Sequence, residues 1–181
     1  MGYALKKEFL PNYTYADYVN WEGNWELING IPYAMSPSPS FRHQRISLKI
    51  ASQLDELLDD CSKCKPVEAF DWKVNEQTVV EPDISVVCKP LKNDSFIDFA
   101  PTVVFEIISP SSLIKDRNLK FNIYQSEGVK YYVIVDLEKK KAEVFELIKK
   151  TYKPVLKTKD KKFLFKLDGC DANFDFSKIW E

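Results

Sequence analysis

The sequence predicts an α/β fold: a twisted sheet with one long helix and a second helix packed on it, continued by an antiparallel β extension. Three observations carry this. Short β-rich runs alternate with two stretches of helical periodicity, an eight-residue apolar run has the pattern of a strand buried on both faces, and the last third of the chain carries strand patterns alone. With 181 residues, no internal repeat and no Pro/Gly/Ser-rich linker, residues 1–181 are expected to form one domain around one core.

Residues 13–22 carry a short helical pattern. "WELINGIPYAM" follows, two apolar runs around Asn29-Gly30, the dipeptide most typical of a tight hairpin. In "SFRHQRISLKIASQLDELLDD" the residues Ile46, Ile50, Leu54 and Leu57 recur at helical spacing behind Ser40, a suitable N-cap, and predict a helix of about five turns. "VEAFDWKV", "EPDISVVCK" and "PTVVFEIIS" are β-rich runs expected to be neighbouring strands. "SSLIKDRNLKFNIYQSEG" is helical in pattern and stops at Gly128, and "VKYYVIVD" is the buried strand. "KAEVFELI", "TYKPVLK" and "KKFLFKL" predict a tail rich in hairpins.

Apolar residues make up 45% and charged residues 29%, with five glycines, which excludes a disordered chain. The first ten residues lack the apolar run of a signal peptide, no segment approaches membrane-spanning length, and Lys6 stands where a myristoylation signal needs Ser or Thr. A cytoplasmic address without membrane association is therefore expected. There the four cysteines are expected to be reduced thiols, with Cys88 in the core. Cys61 and Cys64 form a C-x-x-C that invites zinc. Closed zinc sites need four ligands, however, and the chain has no second pair of suitable spacing and a single histidine, so the expected reading is a helix-end thiol pair without special role. The net charge of −1 excludes a protein that coats nucleic acid by bulk electrostatics. Residues 138–166 nevertheless hold eleven lysines against four acids, which suits a phosphate backbone or, equally, the charged edge of a sheet.

Chemistry enters with the carboxylates. Period-two alternation sets Asp83 and Ser85 on one side of their strand, and Glu106 beside Val104 and Ile108 on its own. If the strands pair, two acids meet in apolar surroundings, where both ionise cheaply only with a cation between them; a divalent metal meets that need. On a helical wheel Leu113, Leu119, Phe121, Ile123 and Tyr124 form one apolar arc, and Asp116 and Lys120 fall inside it. They should point toward the sheet. The simplest alternative is an Asp116–Lys120 salt bridge at the edge of the core.

"EPDISVV", then "VVFEIISPSS" and "DRNLKFNIYQSEGVKYYVIVD", with "WELINGIPYAMSPSPSFRHQRI" before and "FDFSKIW" after, resembles the putative restriction-endonuclease family of unknown biological role in the PD-(D/E)XK nuclease-like superfamily. The likeness covers most of the chain. It implies a restriction-endonuclease-like mixed sheet flanked by helices, and phosphodiester hydrolysis with Mg²⁺ or Mn²⁺. Nucleic acid, DNA first, is the implied partner, and a homo-oligomer (dimer) the implied assembly. Asp83 matches the first metal-binding acid and Glu106 the second. The superfamily's lysine two positions after the second acid is replaced by Ile108, and Lys120 matches a lysine that substitutes for it from the following helix. Asp116 would orient Lys120 or support the metal-binding acids from behind. Glu26 matches a further acid of the family, against the plain reading of an exposed strand carboxylate. His43 matches a histidine often found at that place, against a structural role on the apolar side of its helix. Two other functions stay open: a catalytically inactive nuclease fold used for binding or assembly, and a metal-free ion network pairing Glu106 with Lys120.

Overall fold

The structure is a computed structural model that describes residues 10–35, 39–108 and 115–180. A short helix α1 (Tyr15–Tyr18) precedes the hairpin β1 (Trp25–Ile28) and β2 (Ile31–Ala34), and the long helix is α2 (Phe41–Leu57). Strands β3 (Lys65–Glu68), β4 (Trp72–Asn75), β5 (Thr78–Val80), β6 (Ile84–Val87) and β7 (Val103–Ile108) follow. A π-helical turn (Lys115–Lys120) leads into α3 (Phe121–Glu127) and β8 (Tyr131–Asp136). Two hairpins close the chain, β9 (Lys141–Ile148) with β10 (Thr151–Thr158), then β11 (Lys162–Lys166) with β12 (Asp171–Asp175) and a final 3₁₀ turn (Phe176–Lys178).

The main sheet has six strands in the order β10-β9-β8-β7-β6-β3. It is mixed, because β7 and β8 run parallel while every other pair in it is antiparallel. A parallel pair needs a long crossover, and the stretch holding the π turn and α3 provides it. A second sheet has the order β2-β1-β5-β4. The predicted α/β architecture with a mixed sheet, flanking helices and antiparallel extension is therefore the one observed.

Both faces of the main sheet are covered, so every residue of β7 and β8 is buried. On one face Ile84, Val86, Phe105, Ile107 and Val133 pack against Ile46, Ile50 and Leu54 of α2 and against Phe165 and Phe174 of the last hairpin. Gln53 of α2 fastens that hairpin, since its side chain accepts from Asp175 N at 2.7 Å and donates to Asp175 O at 3.2 Å. On the other face Val104, Ile108, Tyr132 and Ile134 pack against Tyr124 of α3 and against Ile28, Trp72 and Val80 of the four-stranded sheet. Ser40 caps α2 by accepting from His43 N, and Gly128, at φ 87°, ends α3, both as the sequence indicates.

The Asn29-Gly30 turn has positive φ at both residues, 51° and 76°, the backbone of a type I′ hairpin. A Cβ on Gly30 would sit 3.1 Å from the Asn12 Cα and 3.0 Å from its Oδ1. Gly30→Ala is therefore expected to destabilise the chain by at least about 1–2 kcal/mol, read from the midpoint of urea unfolding at unchanged slope. An unchanged midpoint would show that the turn and Asn12 shift freely.

Two expectations are corrected, and one strand is added. "VEAFDWKV" is two strands, because Ala69 adopts φ 44° and turns the chain, so β3 joins the six-stranded sheet and β4 the other. The short strand β5 was not legible in the run before Glu81. The cysteines are not free thiols: Cys61 pairs with Cys170 and Cys64 with Cys88. The C-x-x-C spacing hid this, since both partners arrive from distant segments. Among the described residues no helix is long and apolar enough to cross a membrane. The lysine-rich stretch forms β9 to β11, and β10 is the outer strand of the main sheet with Lys153 and Lys157 exposed, which fits a charged sheet edge.

Candidate functional site

Strands β6 and β7 pair antiparallel with Ile84 opposite Phe105, so one further step of the register sets Asp83 opposite Glu106. The alternation of β7 sends Phe105 and Ile107 into the core under α2 and leaves Glu106 on the opposite face with Val104 and Ile108. Glu106 is 2% exposed. Asp83 lies at the mouth of β6 with about a fifth of its side chain in solvent, and its Oδ2 accepts from Ile107 N at 2.6 Å. His43 reaches the same oxygen from the first turn of α2, with Nε2 at 3.4 Å.

Lys120 ends the π turn, a wider turn of the kind that recurs at functional sites. It points inward, as the wheel predicts. Its Nζ lies 2.7 Å from Glu106 Oε1 and 2.8 Å from Glu26 Oε1, and donates to the Glu81 carbonyl at 3.2 Å. Asp116 Oδ1 is farther off, at 3.9 Å, so the ammonium belongs first to the strand acids and only then to its helical neighbour. The Tyr132 hydroxyl on β8 donates to the Asp116 carbonyl at 3.0 Å and ties the turn to the sheet. Glu26 is 0% exposed, which overturns the reading of a solvated strand acid. Strand β1 is paired on both sides, with β2 and β5, and Glu26 Oε1 also accepts from Glu81 N at 3.1 Å.

The six residues singled out in the sequence thus lie in one cluster. Asp83, Glu106, Lys120, Glu26 and Asp116 surround the end of the β6–β7 pair, and His43 flanks Asp83. Burial drives the Glu106 carboxyl well above its ordinary value; Lys120 opposes the rise, while Asp116, Asp83 and Glu26 add to it. Burial works against the Lys120 ammonium, but Glu106, Glu26 and Asp116 hold its pKa well above the ordinary 10.5. The two directions describe one arrangement: the amine is held in its charged form by acids that outnumber it, and burial among those acids favours the protonated form of Glu106. Glu81 is raised too, by burial and then by Asp71 and Glu26. For His43 burial lowers the pKa, yet the hydrogen bond and charge of Asp83 outweigh it, and the net shift is upward.

Two contributors escaped the sequence reading. The Tyr124 hydroxyl donates to Glu106 Oε1 at 2.6 Å, and the Tyr124 ring stacks on Trp72 with centroids 5.7 Å apart. A tyrosine one turn after Lys120 in the apolar arc carried that signal, because a buried phenol seeks a partner. Glu81 carried none beyond its place next to Pro82-Asp83.

Among the described residues the carboxylate oxygens gathered here outnumber the Lys120 ammonium, an arrangement that suits a hard divalent cation and not a soft one.

The family profile described as Uma2, putative restriction endonuclease, matches residues 13–165. An uncharacterized protein from Synechocystis sp. is 34% identical over 125 residues, 63% of this chain and 63% of that relative, so the match spans under two thirds of the relative's length. The crystal structure of a putative nuclease belonging to DUF820 from Anabaena variabilis superposes with a TM-score of 0.73 at 14% identity, covering 92% of this chain and 97% of that one.

Proposed function

The chain belongs to the Uma2 family of putative restriction endonucleases, and from that premise we propose that it is a metal-dependent nuclease that hydrolyses phosphodiester bonds, DNA being the first substrate to test. The observation that carries the reading is the position of Lys120, whose Nζ stands 2.7 Å from Glu106 and 2.8 Å from Glu26 at the end of the strand pair that bears Asp83.

Asp83 and Glu106 would hold Mg²⁺ or Mn²⁺, and the donor set fits, since it is oxygen-rich and short of positive charge. When bound, the ion supplies positive charge that acidifies a water and offsets the charge of the phosphate. The remaining work falls to the chain. Lys120 presents a fixed ammonium where the phosphoryl oxygens gain negative charge, a contribution of several kcal/mol in a site that excludes water. Glu26 and the Glu81 carbonyl keep the amine in place, so no reorganisation is needed when charge develops. Tyr124 holds Glu106 in one rotamer, and His43 steadies Asp83. Strand β7 offers no amine of its own, because Ile108, two positions after Glu106, is 3% exposed in the apolar core; Lys120 brings the charge instead.

The test is cleavage of supercoiled plasmid and of single-stranded DNA in Mn²⁺, with Asp83→Ala and Lys120→Ala in parallel. Loss of about 100-fold or more in both variants is expected. Equal cleavage by all three proteins would assign the activity to a contaminant. Ile108 and the close engagement of Lys120 by two acids favour one second reading, a nuclease fold that binds without cutting. Calorimetric titration with Mn²⁺ separates the two: heat abolished by Asp83→Ala supports the metal site, and no heat at millimolar metal supports the non-cutting reading.

A further inference from the structure

At the other end of β6 from Asp83, the fold gathers all four cysteines. Cys61 and Cys64 frame the turn between α2 and β3, Cys88 follows β6, and Cys170 sits in the β11–β12 turn. The β3–β6 register pairs Lys65 with Val87, so one further step sets Cys64 directly across from Cys88. The sulfurs of Cys61, Cys64 and Cys170 all lie within 4.8 Å of one another, and the sulfur of Cys88 is bonded to that of Cys64. Zinc–sulfur bonds of about 2.3 Å in a tetrahedron put sulfurs roughly 3.8 Å apart, so three of the sulfurs already lie near that spacing, and the Cys88 sulfur, released from Cys64, has to swing into the fourth position.

We propose that in the reduced chain Cys61, Cys64, Cys88 and Cys170 bind one Zn²⁺ in a closed tetrahedral site, and that the two disulfides are the oxidised, metal-free state of the same cluster. Two further observations favour thiolate ligands over inert core thiols. The Cys64 backbone N–H donates to Cys61 Sγ at 3.2 Å, a hydrogen bond that strengthens when the sulfur carries charge. The Lys63 side chain folds over Gly169, its Nζ 3.7 Å from where a Cβ would stand, and brings positive charge beside the Cys170 turn, where four thiolates around Zn²⁺ would leave a net −2. Cys61, Cys64 and Cys88 are buried while Cys170 is half-buried, which leaves an edge by which metal or oxidant can enter.

The two states exchange by balanced chemistry. Two equivalents of a small-molecule disulfide accept four electrons from the four thiolates, giving two protein disulfides, four small-molecule thiolates and free Zn²⁺. Either state fastens α2, the main sheet and the last hairpin to one another. The ion does so across segments whose joined cysteines are as far as 109 residues apart in sequence.

The full chain, reduced with a phosphine and exchanged into metal-free buffer after zinc loading, is expected to retain about one equivalent of zinc by mass spectrometry of metals and to lose it on oxidation with glutathione disulfide. Cobalt(II) in place of zinc should give the thiolate charge-transfer band of a tetrahedral sulfur site, a signal the carboxylate cluster cannot produce. Cys170→Ser, in a half-buried turn, should stay folded and bind at least about tenfold more weakly. Should Cys170→Ser fail to fold, the cobalt spectrum of the unmodified chain still decides. Reduced protein that holds less than about a tenth of an equivalent, or that takes up cobalt without the thiolate band, overturns the proposal.

Discussion

Lys120→Met is expected to lower the free energy of unfolding by about 3–5 kcal/mol near neutral pH, because it leaves two buried acids without their counter-ion. Glu106 and Glu26 both rest against the Lys120 amine, at 2.7 Å and 2.8 Å. Methionine fills much of the same volume, so the loss reports charge and not a cavity. The deficit should depend on pH with a definite sign. Burial already holds the Glu106 carboxyl above its ordinary 4.5, and Lys120 is the chief opposing influence. Without the amine the folded-state value rises further. Below pH 4.5 folded and unfolded chains both keep the proton and the penalty is small. As pH rises the unfolded chain releases its proton first, so stability falls until the folded-state pKa is passed. Urea unfolding of both proteins at about pH 4 and pH 7 checks this, and a deficit equal at the two values would sink the account of the buried acids.

Glu106→Gln should behave in the opposite way. The amide keeps the shape of the side chain and an oxygen that can accept from Lys120 and Tyr124, and Glu26 remains as partner to the amine. Unfolding free energy is expected to change by no more than about 1–2 kcal/mol, while Mn²⁺-dependent cleavage falls at least about 100-fold, because a neutral amide is a poor ligand for a hard cation. A metal-free ion network predicts the reverse pattern, a large loss of stability with no activity to lose. The pair of substitutions therefore distinguishes a site kept for chemistry from one kept for structure.

Much of the site could be read from local pattern. Alternation along "EPDISVV" and "VVFEIIS" places Asp83 and Glu106 on compatible faces, and the wheel turns Lys120 inward, since both rest on periodicities of the backbone. The hairpin at Asn29-Gly30, the cap at Ser40 and the stop at Gly128 were legible for the same reason: each is a demand of one or two φ values. Glu26 was not. Whether a strand carboxylate faces water depends on what lies over it: β5, which pairs beside β1, comes some fifty residues later, and Lys120, which meets Glu26, arrives from the π turn later still. The split at Ala69 was equally hidden, because an alanine at positive φ bears no local mark.

The cysteines set the boundary most sharply. Their number and the C-x-x-C spacing were plain, and read alone they argued for idle thiols. Only the pairing of β3 with β6 and the return of the last hairpin onto α2 brought Cys88 and Cys170 to that turn. Sequence by itself determined most of the elements, many of their buried faces and the charged residues that break the apolar pattern, because these follow from steric and solvation preferences over a few residues. Which of those faces met, and so which carboxylates shared an amine and which sulfurs shared a site, was decided by packing between segments as many as 109 residues apart, which no short-range preference encodes.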